Sequence, residues 1–262
     1  MATGLIASLP RPTLRALTIW RRNLLVWRKL MISSLLINLG EPLLYLLGLG
    51  YGMGRFIGDM AGMPYLTFLA SGMIATSAMN SATYEGLYSV FARMTHQRTY
   101  EAILATPMEV DDIVLGEICW AATKGTLSSA AIMLVGVALG ALNASHLLWS
   151  LPVTWYVGAC FAGLALTCTA FAPSYDFFNY FITLLLTPMM LLCGVFFPVD
   201  ALPSAIQPVI GWLPLTHAVA LIRPLATGEW PAAPLQHVLA LGVVGVAGYW
   251  SAVVLTRRRL LR

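Results

Sequence analysis

Six long apolar runs divide the sequence, and each has the length of a helix that crosses a membrane. They cover residues 31–54, 65–91, 113–142, 151–172, 177–197 and 235–256. A helix needs about 20 predominantly apolar residues to cross the hydrocarbon core of a bilayer. Only 10% of the 262 residues are charged, against about 25% in soluble domains. We therefore predict an all-α integral membrane protein with six transmembrane helices, in which residues 1–262 form a single membrane domain.

Lysine and arginine residues are concentrated in the segments that six spans place on one side of the membrane. Twelve of them lie at the N-terminus, between the second and third runs and at the C-terminus, whereas only Arg55 and Arg223 fall on the opposite side. Because basic loops remain in the cytoplasm, both termini are predicted to be cytoplasmic. The cations lie at the ends of the runs, which indicates membrane orientation and argues against binding to nucleic acid.

Residues 12–29 have the spacing of an amphipathic helix that lies in the cytoplasmic membrane interface. Apolar side chains recur at every third or fourth position, at Leu14, Leu17, Trp20, Leu24 and Trp27. Cations repeat at every seventh position on another face, at Arg15, Arg22 and Lys29. Such a helix places its apolar side toward lipid and its cations toward the headgroups. The alternative is a basic tail that only sets the orientation of the first span.

The stretch from residue 187 to residue 228 is apolar throughout but contains many prolines. Five of them interrupt its second part, at Pro198, Pro203, Pro208, Pro214 and Pro224. A straight span does not tolerate this, because each proline removes a backbone donor and clashes with the preceding turn. We predict that the fifth span breaks at Phe197-Pro198 and that residues 198–228 form an extracytoplasmic re-entrant helical hairpin. The alternative is an apolar external loop without a role in transport.

Two polar residues, Asn38 and Glu41, lie inside the first apolar run. Glu41 is about 15 Å from the cytoplasmic end of that run, where a carboxylate must be protonated, paired or exposed to water. Glu41 therefore either lies on a substrate path or a dimer interface, or is a protonated or hydrogen-bonded structural acid.

Three charged residues lie inside the second and third runs. Glu117 and Lys124 are seven residues apart, so they share one face of a helix, and Glu85 falls at a depth similar to that of Lys124. A lysine inside the membrane needs a partner. We predict that Lys124 pairs with Glu85 or with Glu117, as a structural ion pair rather than a substrate contact.

Aromatic residues cluster at the cytoplasmic end of the fifth run. Phe177, Phe178, Tyr180 and Phe181 follow a short turn; they either form an interfacial aromatic belt or stack on the sugar rings of a glycolipid. His217 lies alone in the second half of the proline-rich stretch and is more typical of hydrogen-bonded structure than of a ligand or a proton relay.

Several motifs that would indicate another activity are absent from the sequence. It contains no GxxxxGK[ST] phosphate loop, no HExxH or GxSxG motif, and no cluster with metal-ligand spacing. The four cysteines all fall within apolar runs without CxxC spacing, so neither a metal site nor a disulfide is predicted. Energy for any transport must come from a partner subunit or from an ion gradient.

Four segments together resemble the ABC-2 family of export permeases. They read RTYEAILATP after the second run, APSYDFFNYFITLLLTPMMLL along the fifth run, and CGVFFPVDALP and LPLTHAVALIRPL in the proline-rich stretch. The resemblance covers essentially the whole chain. Within the family the sequence is similar to the NodJ-type permeases of exporters of Nod factors, which are lipochitooligosaccharides.

This resemblance implies a transport subunit rather than an enzyme. The chain would form a dimer with a second copy of itself in the bacterial inner membrane and bind two cytoplasmic, NodI-like ATP-binding subunits. ATP and magnesium would be held by those partners, so this chain itself needs no cofactor. The expected activity is ATP-driven export of a lipo-oligosaccharide or a similar amphiphilic glycolipid.

The resemblance also assigns roles to particular residues. Residues 93–112 become a cytoplasmic coupling loop, and the helix expected to dock on the ATPase contains Arg98, Thr99, Tyr100, Glu101, Ile103 and Leu104. The expected residues of the substrate path and the external gate are Asn38, Glu41, Phe178, Phe181, Val195, Phe196, Phe197, Pro198 and His217. A solvated loop at residues 93–112 is the simpler alternative for the first set.

Other functions fit the composition less well. An ABC-2 exporter of drugs, polysaccharide or other lipids is an alternative within the family. An ion-coupled secondary carrier is a further alternative, although no internal repeat relates residues 1–142 to residues 143–262.

Overall fold

The computed structural model describes residues 9–29, 31, 33, 40 and 43–261. The helices in the first half of this part of the chain are α1 (Ala16–Arg28), α2 (Leu43–Ile57), α3 (Tyr65–Tyr84), α4 (Thr99–Leu104) and α5 (Val110–Ala138). Those in the second half are α6 (Ala144–Leu147), α7 (Ser150–Phe171), α8 (Phe177–Leu192), α9 (Gln207–Gly211), α10 (Pro214–Thr227) and α11 (Pro234–Leu260). The predicted polar positions Asn38 and Glu41 lie outside the described residues.

Several helices contain π-helical stretches, whose backbone hydrogen bonds span five residues instead of four. They are Leu46–Met53 in α2, Glu85–Ser89 and Ala92–His96 after α3, and Ile182–Leu186 in α8. Such stretches are uncommon and frequently accompany functional sites. Through the two that follow α3, the helix continues as far as His96, so Arg93 lies on a helix and not in a loop.

Within the described residues, three helices are long and apolar enough to cross a bilayer, namely α5, α7 and α11. Helices α2 and α8 are apolar but shorter, and α3 has 20 residues, among them many small polar ones. The helices fall in the predicted apolar runs, which agrees with an all-α membrane protein. The count of six crossings stays a prediction.

A short antiparallel hairpin, which the sequence analysis did not predict, joins α2 to α3. Its strands are β1 (Asp59–Met60) and β2 (Met63–Pro64). Ala61 and Gly62 form the two-residue turn, with φ of 51° and 78°. Two successive residues with positive φ suit the tight turns that join twisted strands.

The core is built around α3, which is buried along almost its whole length between residues 68 and 83. Helices α5 and α7 pack against it and against each other, and α11 packs along α7. The last contact depends on glycine: a Cβ atom at Gly248 would lie 3.0 Å from the carbonyl carbon of Gly163. Small residues at such crossings let two membrane helices approach closely.

Helix α8 ends earlier than the sequence predicts. The break was predicted at Phe197-Pro198, but the helix ends at Leu192 and Gly194 has a φ of 79°. A positive φ suits glycine, which has no Cβ atom to clash, and it stops the helix. The break therefore lies about one turn deeper along the fifth run, and Phe197 and Pro198 belong to the irregular segment that follows.

Beyond the break, the chain forms α9 and then turns into α10 at Leu213-Pro214. Pro214 begins α10, where its missing N–H is not needed, and Gly228 follows the helix with a φ of 94°. Helix α10 buries its apolar face against α3. Helix α10 is thus a packed part of the protein core, whereas most of residues 201–212, which include α9, are exposed.

Candidate coupling site and external gate

Glu85 lies at the centre of a buried ion cluster between α3 and α5. Its carboxylate accepts hydrogen bonds from Lys124 Nζ (2.8 Å), Arg93 Nη2 (2.9 Å), Trp120 Nε1 (3.1 Å) and Ser89 Oγ (2.9 Å). The geometry selects Glu85 over Glu117 as the acid that pairs with Lys124. Each oxygen of a buried carboxylate is thereby satisfied, as burial of charge requires.

Glu117 joins the cluster through Arg93, which the sequence analysis did not predict as a member of the buried ion pairs. Arg93 donates Nε to Glu117 Oε1 at 3.0 Å and Nη2 to Glu117 Oε2 at 2.7 Å, and it also reaches Glu85. Arg93 therefore bridges the two carboxylates. Two acids and two cations balance one another, and Glu117 is fully buried.

Helix α1 docks onto α5 beside this cluster. Asn23 Nδ2 donates to Glu117 Oε2 at 2.8 Å, and Trp20 Nε1 donates to Thr123 Oγ1 at 3.0 Å. Ile19 packs on Gly116, where a Cβ atom would lie 2.5 Å from that of Ile19. Helix α1 therefore has a protein-facing side, while Leu14 and Leu17 remain exposed. The helix begins at Ala16 instead of residue 12, and its place in the membrane interface stays a prediction.

Helix α4 has one buried face and one exposed face. Tyr100 is 1% exposed, and Ile103 and Leu104 are half-buried. By contrast, the side chains of Arg98 and Glu101 are 75% and 62% exposed, with Arg98 Nε 3.9 Å from Glu101 Oε1. A pair this exposed contributes little to stability, so the two side chains are free to bind another surface.

Tyr100 connects α4 to the ion cluster. Burial, together with the nearby carboxylate of Glu117, raises the pKa of Tyr100 well above its usual value, so the phenol stays neutral. The ring fills the space beneath α4 next to Glu117 and Arg93. Tyr100 thus places the buried face of α4 beside the ion cluster.

A second set of buried acids ties both ends of the described chain to the start of α5. Arg257 donates Nε and Nη2 to Asp111 at 2.8 and 2.5 Å, and the backbone N–H of Arg11 donates to Asp111 at 2.6 Å. Thr13 donates both its N–H (2.7 Å) and its hydroxyl (2.9 Å) to Asp112. Acids in a first helical turn also suit the positive end of the helix dipole.

At the opposite end of the helices, Arg223 of α10 clamps the break in α8. Its Nη2 donates to the carbonyls of Gly194 (2.7 Å) and Phe68 (3.3 Å), and its Nε donates to Ser71 Oγ (3.0 Å). The guanidinium lies 3.7 Å above the centre of the Phe68 ring. The Arg223 guanidinium thus contacts two carbonyl oxygens, one hydroxyl group and the face of an aromatic ring. A buried cation more commonly has a carboxylate partner in such a position.

The predicted gate residues occupy the segment that Arg223 holds. Val195 is fully buried against α3, where a Cβ atom at Gly72 would lie 2.9 Å from the Val195 carbonyl oxygen. Phe196 packs edge-on against Tyr45 of α2, with ring centres 5.6 Å apart, and Phe197 is half-buried. Val195 and Phe196 form an apolar plug between α2 and α3, directly after α8.

A cavity of about 370 Å³ lies next to this plug, on the side of residues 198–200. Pro198, Asp200, Thr216 and Glu229 contribute to its lining, and Arg223 forms part of its floor. The predicted gate residue Pro198 therefore faces this cavity, beyond the apolar plug.

His217 has a partner that the sequence analysis did not identify. Its Nδ1 lies 2.9 Å from Nδ1 of His237 at the start of α11, so one ring donates and the other accepts. Within the residues that the structure describes, no third metal-ligating side chain joins them. The pair links α10 to α11, as expected of a hydrogen-bonded structural histidine.

The aromatic cluster at the basic end contains more members than expected. Phe178 is fully buried and packs edge-on against Tyr88 and Phe91, both at 5.3 Å. In this position Phe178 supports the fold and has no exposed ring face for a sugar. Tyr88 and Tyr175, which stack in parallel at 6.0 Å, do have exposed surface, and Phe181 is half-buried in the core.

Apolar helices of membrane length that enclose paired charges define a multi-pass membrane protein. More narrowly, the sequence pattern of the ABC-2 type transporter family matches residues 15–225, and the chain belongs to this family.

Similar proteins refine this assignment. Nodulation protein J of Rhizobium leguminosarum bv. trifolii is 46% identical over 262 residues, which are 100% of both chains. Nodulation protein J of Rhizobium meliloti (strain 1021) is 45% identical over 256 residues, 98% of each chain. The inner membrane transport permease YadH of Escherichia coli (strain K12) is 25% identical over 218 residues, 79% of this chain and 80% of that protein. The chain is thus an ABC-2 permease of the nodulation protein J type, a transport protein and not itself an enzyme.

Proposed function

We propose that this chain is the transmembrane permease subunit of an ATP-driven exporter that moves a lipo-oligosaccharide or a similar amphiphilic glycolipid out across the bacterial inner membrane. The observation that carries the proposal is the similarity to nodulation protein J over the entire length of both chains. Two copies of the chain form the membrane pathway, and two ATP-binding subunits of the NodI type supply the energy. ATP and magnesium bind to those subunits.

The proposed orientation places both termini, α1 and α4 in the cytoplasm. Twelve of the basic residues support it, because they lie in segments that meet at one end of the helices. Helix α1 then lies in the cytoplasmic interface, and residues 198–228 form the re-entrant hairpin on the outer side.

Helix α4 is proposed to be the coupling helix. Its exposed Arg98 and Glu101 suit binding to a groove of the ATP-binding subunit, and its buried Tyr100 contacts the ion cluster. When the two ATP-binding subunits close, α4 moves and carries the cluster with it. Because Glu85, Arg93 and Glu117 connect α3 to α5, the movement reaches the membrane helices as a rigid displacement.

The plug around Val195 and Phe196 is proposed to be the external gate. Its apolar packing excludes water and ions at rest, while Arg223 holds the segment against α3. Displacement of α3 moves Ser71 and Phe68 relative to Gly194. The clamp then opens, and the amphiphile leaves through the cavity beside Pro198 and Asp200.

ATPase activity in membranes tests this function. The chain is purified with its co-expressed ATP-binding subunit, reconstituted in lipid vesicles, and assayed with lipochitooligosaccharide, lipopolysaccharide fragments and hydrophobic drugs. We expect stimulation by the lipo-oligosaccharide. Stimulation by drugs or lipopolysaccharide fragments alone would point to the alternative exporters of the same family. Transport of a compound that needs a proton gradient but no ATP would identify a secondary carrier.

A further inference from the structure

A cavity of about 380 Å³ lies where α1 faces α5 and the continuation of α3. Its volume falls in the range of pockets that take small ligands. The charged and aromatic side chains of its lining are those of Arg22, Trp27, Glu85, Arg93, Trp120 and Lys124. The cavity thus lies beside the buried ion cluster and shares three of its side chains.

Positive charge exceeds negative charge around this cavity. The two cations and two acids of the ion cluster balance one another. Arg22 adds a third cation, and its side chain makes a hydrogen bond only to Asn23, with Nη1 3.4 Å from Oδ1. Within the described residues, no carboxylate forms an ion pair with Arg22. One positive charge at the cavity is therefore left for a ligand from outside this chain.

The cations also present more hydrogen-bond donors than the cluster uses. Arg93 engages Nε and Nη2 with the two carboxylates, and its Nη1 has no hydrogen-bond partner in the part of the chain that the structure describes. Lys124 has three N–H groups, of which one donates to Glu85. The side chains of Arg93 and Lys124 are 13% and 19% exposed, so their remaining donors can be reached. Several spare donors on cations suit an anion with several acceptor oxygens, as in a phosphate group.

The surroundings of the cavity favour a lipid as the carrier of that phosphate. Trp27 lies edge-on to Trp120, with ring centres 5.8 Å apart, and tryptophan is enriched at the level of the lipid headgroups. Val26 also lines the cavity, and Val26 and the preceding Leu25 are exposed. A ligand here can place an anionic group on the cations and an apolar part along α1. A phospholipid has both parts, whereas a free phosphate ester would use only the first.

We propose that this cavity binds the headgroup phosphate of an anionic phospholipid. Arg22, Arg93 and Lys124 donate to the phosphate oxygens, and the acyl chains lie along the exposed apolar side of α1. Basic pockets between membrane helices bind the headgroups of anionic lipids in this way. The inference goes beyond the proposed function, because this lipid is a bound component of the protein and not the exported compound.

Binding of a defined lipid to the full chain tests the inference. The chain is stripped of lipid in a nonionic detergent without phosphate in the buffer, and native mass spectrometry measures its affinity for dioleoylphosphatidylglycerol. We expect a saturable site in the wild type. In Arg22→Gln the dissociation constant should rise about tenfold, because a charged hydrogen-bond donor to the phosphate is lost. The control Arg21→Gln removes the same charge from an exposed neighbour outside the cavity and should stay within about twofold of the wild type.

A second variant tests the site without removing a cation. Gln97 is exposed and lines the cavity, so Gln97→Glu adds a negative charge at its edge and leaves the core untouched. We expect several-fold weaker binding of dioleoylphosphatidylglycerol, because the new carboxylate repels the phosphate. Ser174→Glu adds the same charge at an exposed position outside the cavity and should bind the lipid as the wild type does. This pair decides the question even if Arg22→Gln does not fold.

Four results would overturn the inference. Equal loss of binding in Arg21→Gln and Arg22→Gln would show a diffuse attraction between lipid and a basic surface. Equally tight binding of dioleoylphosphatidylcholine would show that the site does not select an anionic lipid. Displacement of the lipid by an equal concentration of sodium phosphate or glycerol 3-phosphate would identify a site for free phosphate esters. Wild-type affinity in Gln97→Glu, or in a folded Arg22→Gln, would place the lipid outside this cavity.

Discussion

Arg257 in the last turn of α11 makes two hydrogen bonds to the carboxylate of Asp111 in the first turn of α5, at 2.8 and 2.5 Å. Both side chains are buried. The two residues are separated by 146 positions in the sequence, so this contact joins the end of the described chain to its middle. It fixes the height of α11 relative to α5 at the basic end of the helices.

Removal of this pair is expected to destabilise the protein strongly. Arg257→Met leaves the carboxylate of Asp111 buried without its cation, which costs about 3–5 kcal/mol. Three of the four cysteines, at positions 160, 168 and 193, are buried, and Cys119 is partly buried. The exposure of the three buried thiols to a thiol-reactive dye therefore reports unfolding in detergent. We expect the midpoint of thermal unfolding to fall clearly in Arg257→Met. The control is Arg258→Met, which changes an exposed neighbour and should leave the midpoint unchanged; an equal loss in both variants would contradict the role of the pair.

A double-mutant cycle can separate the two candidate partners of Lys124. Lys124 Nζ lies 2.8 Å from Glu85 Oε2, whereas Glu117 is paired with Arg93. The coupling energy of Lys124→Met with Glu85→Gln is expected to lie at about 1–3 kcal/mol. That of Lys124→Met with Glu117→Gln is expected to be clearly smaller, because Lys124 and Glu117 are linked only through Glu85 and Arg93. Both are measured by thermal unfolding with the same thiol-reactive dye. Equal coupling to the two acids would show that the cluster acts as one unit without a preferred pair.

The sequence could predict the apolar helices because a bilayer imposes length and composition on any segment that crosses it. It could also place Glu85 and Lys124 at similar depth, since two antiparallel helices fix depth by residue count. Which of the two acids, Glu85 or Glu117, pairs with Lys124 depends on how α3 is rotated about its axis relative to α5. That rotation depends on packing between helices and leaves no local pattern in the sequence.

Other residues of the two sites could not be recognised from the sequence. Arg93 follows the second apolar run, where a cation normally indicates a loop; its place on a helix becomes visible only through its bonds to Glu117. The partners of Arg223 are mostly carbonyl oxygens, which every residue possesses. The break in α8 was predicted from Pro198, whereas Gly194 ends the helix, because a glycine in an apolar run is compatible with both a helix and its end.

Charge reversal at Glu101 is expected to separate ATP hydrolysis from transport. Glu101 is exposed on α4, so Glu101→Lys should leave the fold intact and repel the surface on which α4 docks. We expect ATPase activity to lose its stimulation by substrate and export to fall at least about tenfold, which corresponds to a loss of 1.4 kcal/mol or more of coupling. Asp176→Lys provides the matched control, because it reverses an exposed acid at the same end of the helices but outside α4. Unchanged binding of the ATPase and unchanged export in Glu101→Lys would remove α4 from the coupling mechanism.

The clamp formed by Arg223 leads to a prediction about leakage. Arg223→Met keeps an apolar stem of similar length but removes every hydrogen bond to Gly194, Phe68 and Ser71. The segment that contains Val195 is then held only by apolar packing, so the gate opens more often without ATP. We expect the passive release of a small dye from vesicles that contain the nucleotide-free complex to increase several-fold over the wild type. Ser71→Ala, which removes a single bond, should give a smaller increase in the same assay.

An exposed cation at the same end provides the comparison for this effect. Arg55 lies near the end of α2 and is exposed, so Arg55→Met changes the surface charge equally without touching the segment after α8. Its vesicles should retain the dye as the wild type does. If Arg223→Met vesicles stay as tight as Arg55→Met vesicles, packing around Val195 and Phe196 alone seals the pathway. The hydrogen bonds of Arg223 would then serve only to hold α10 in place.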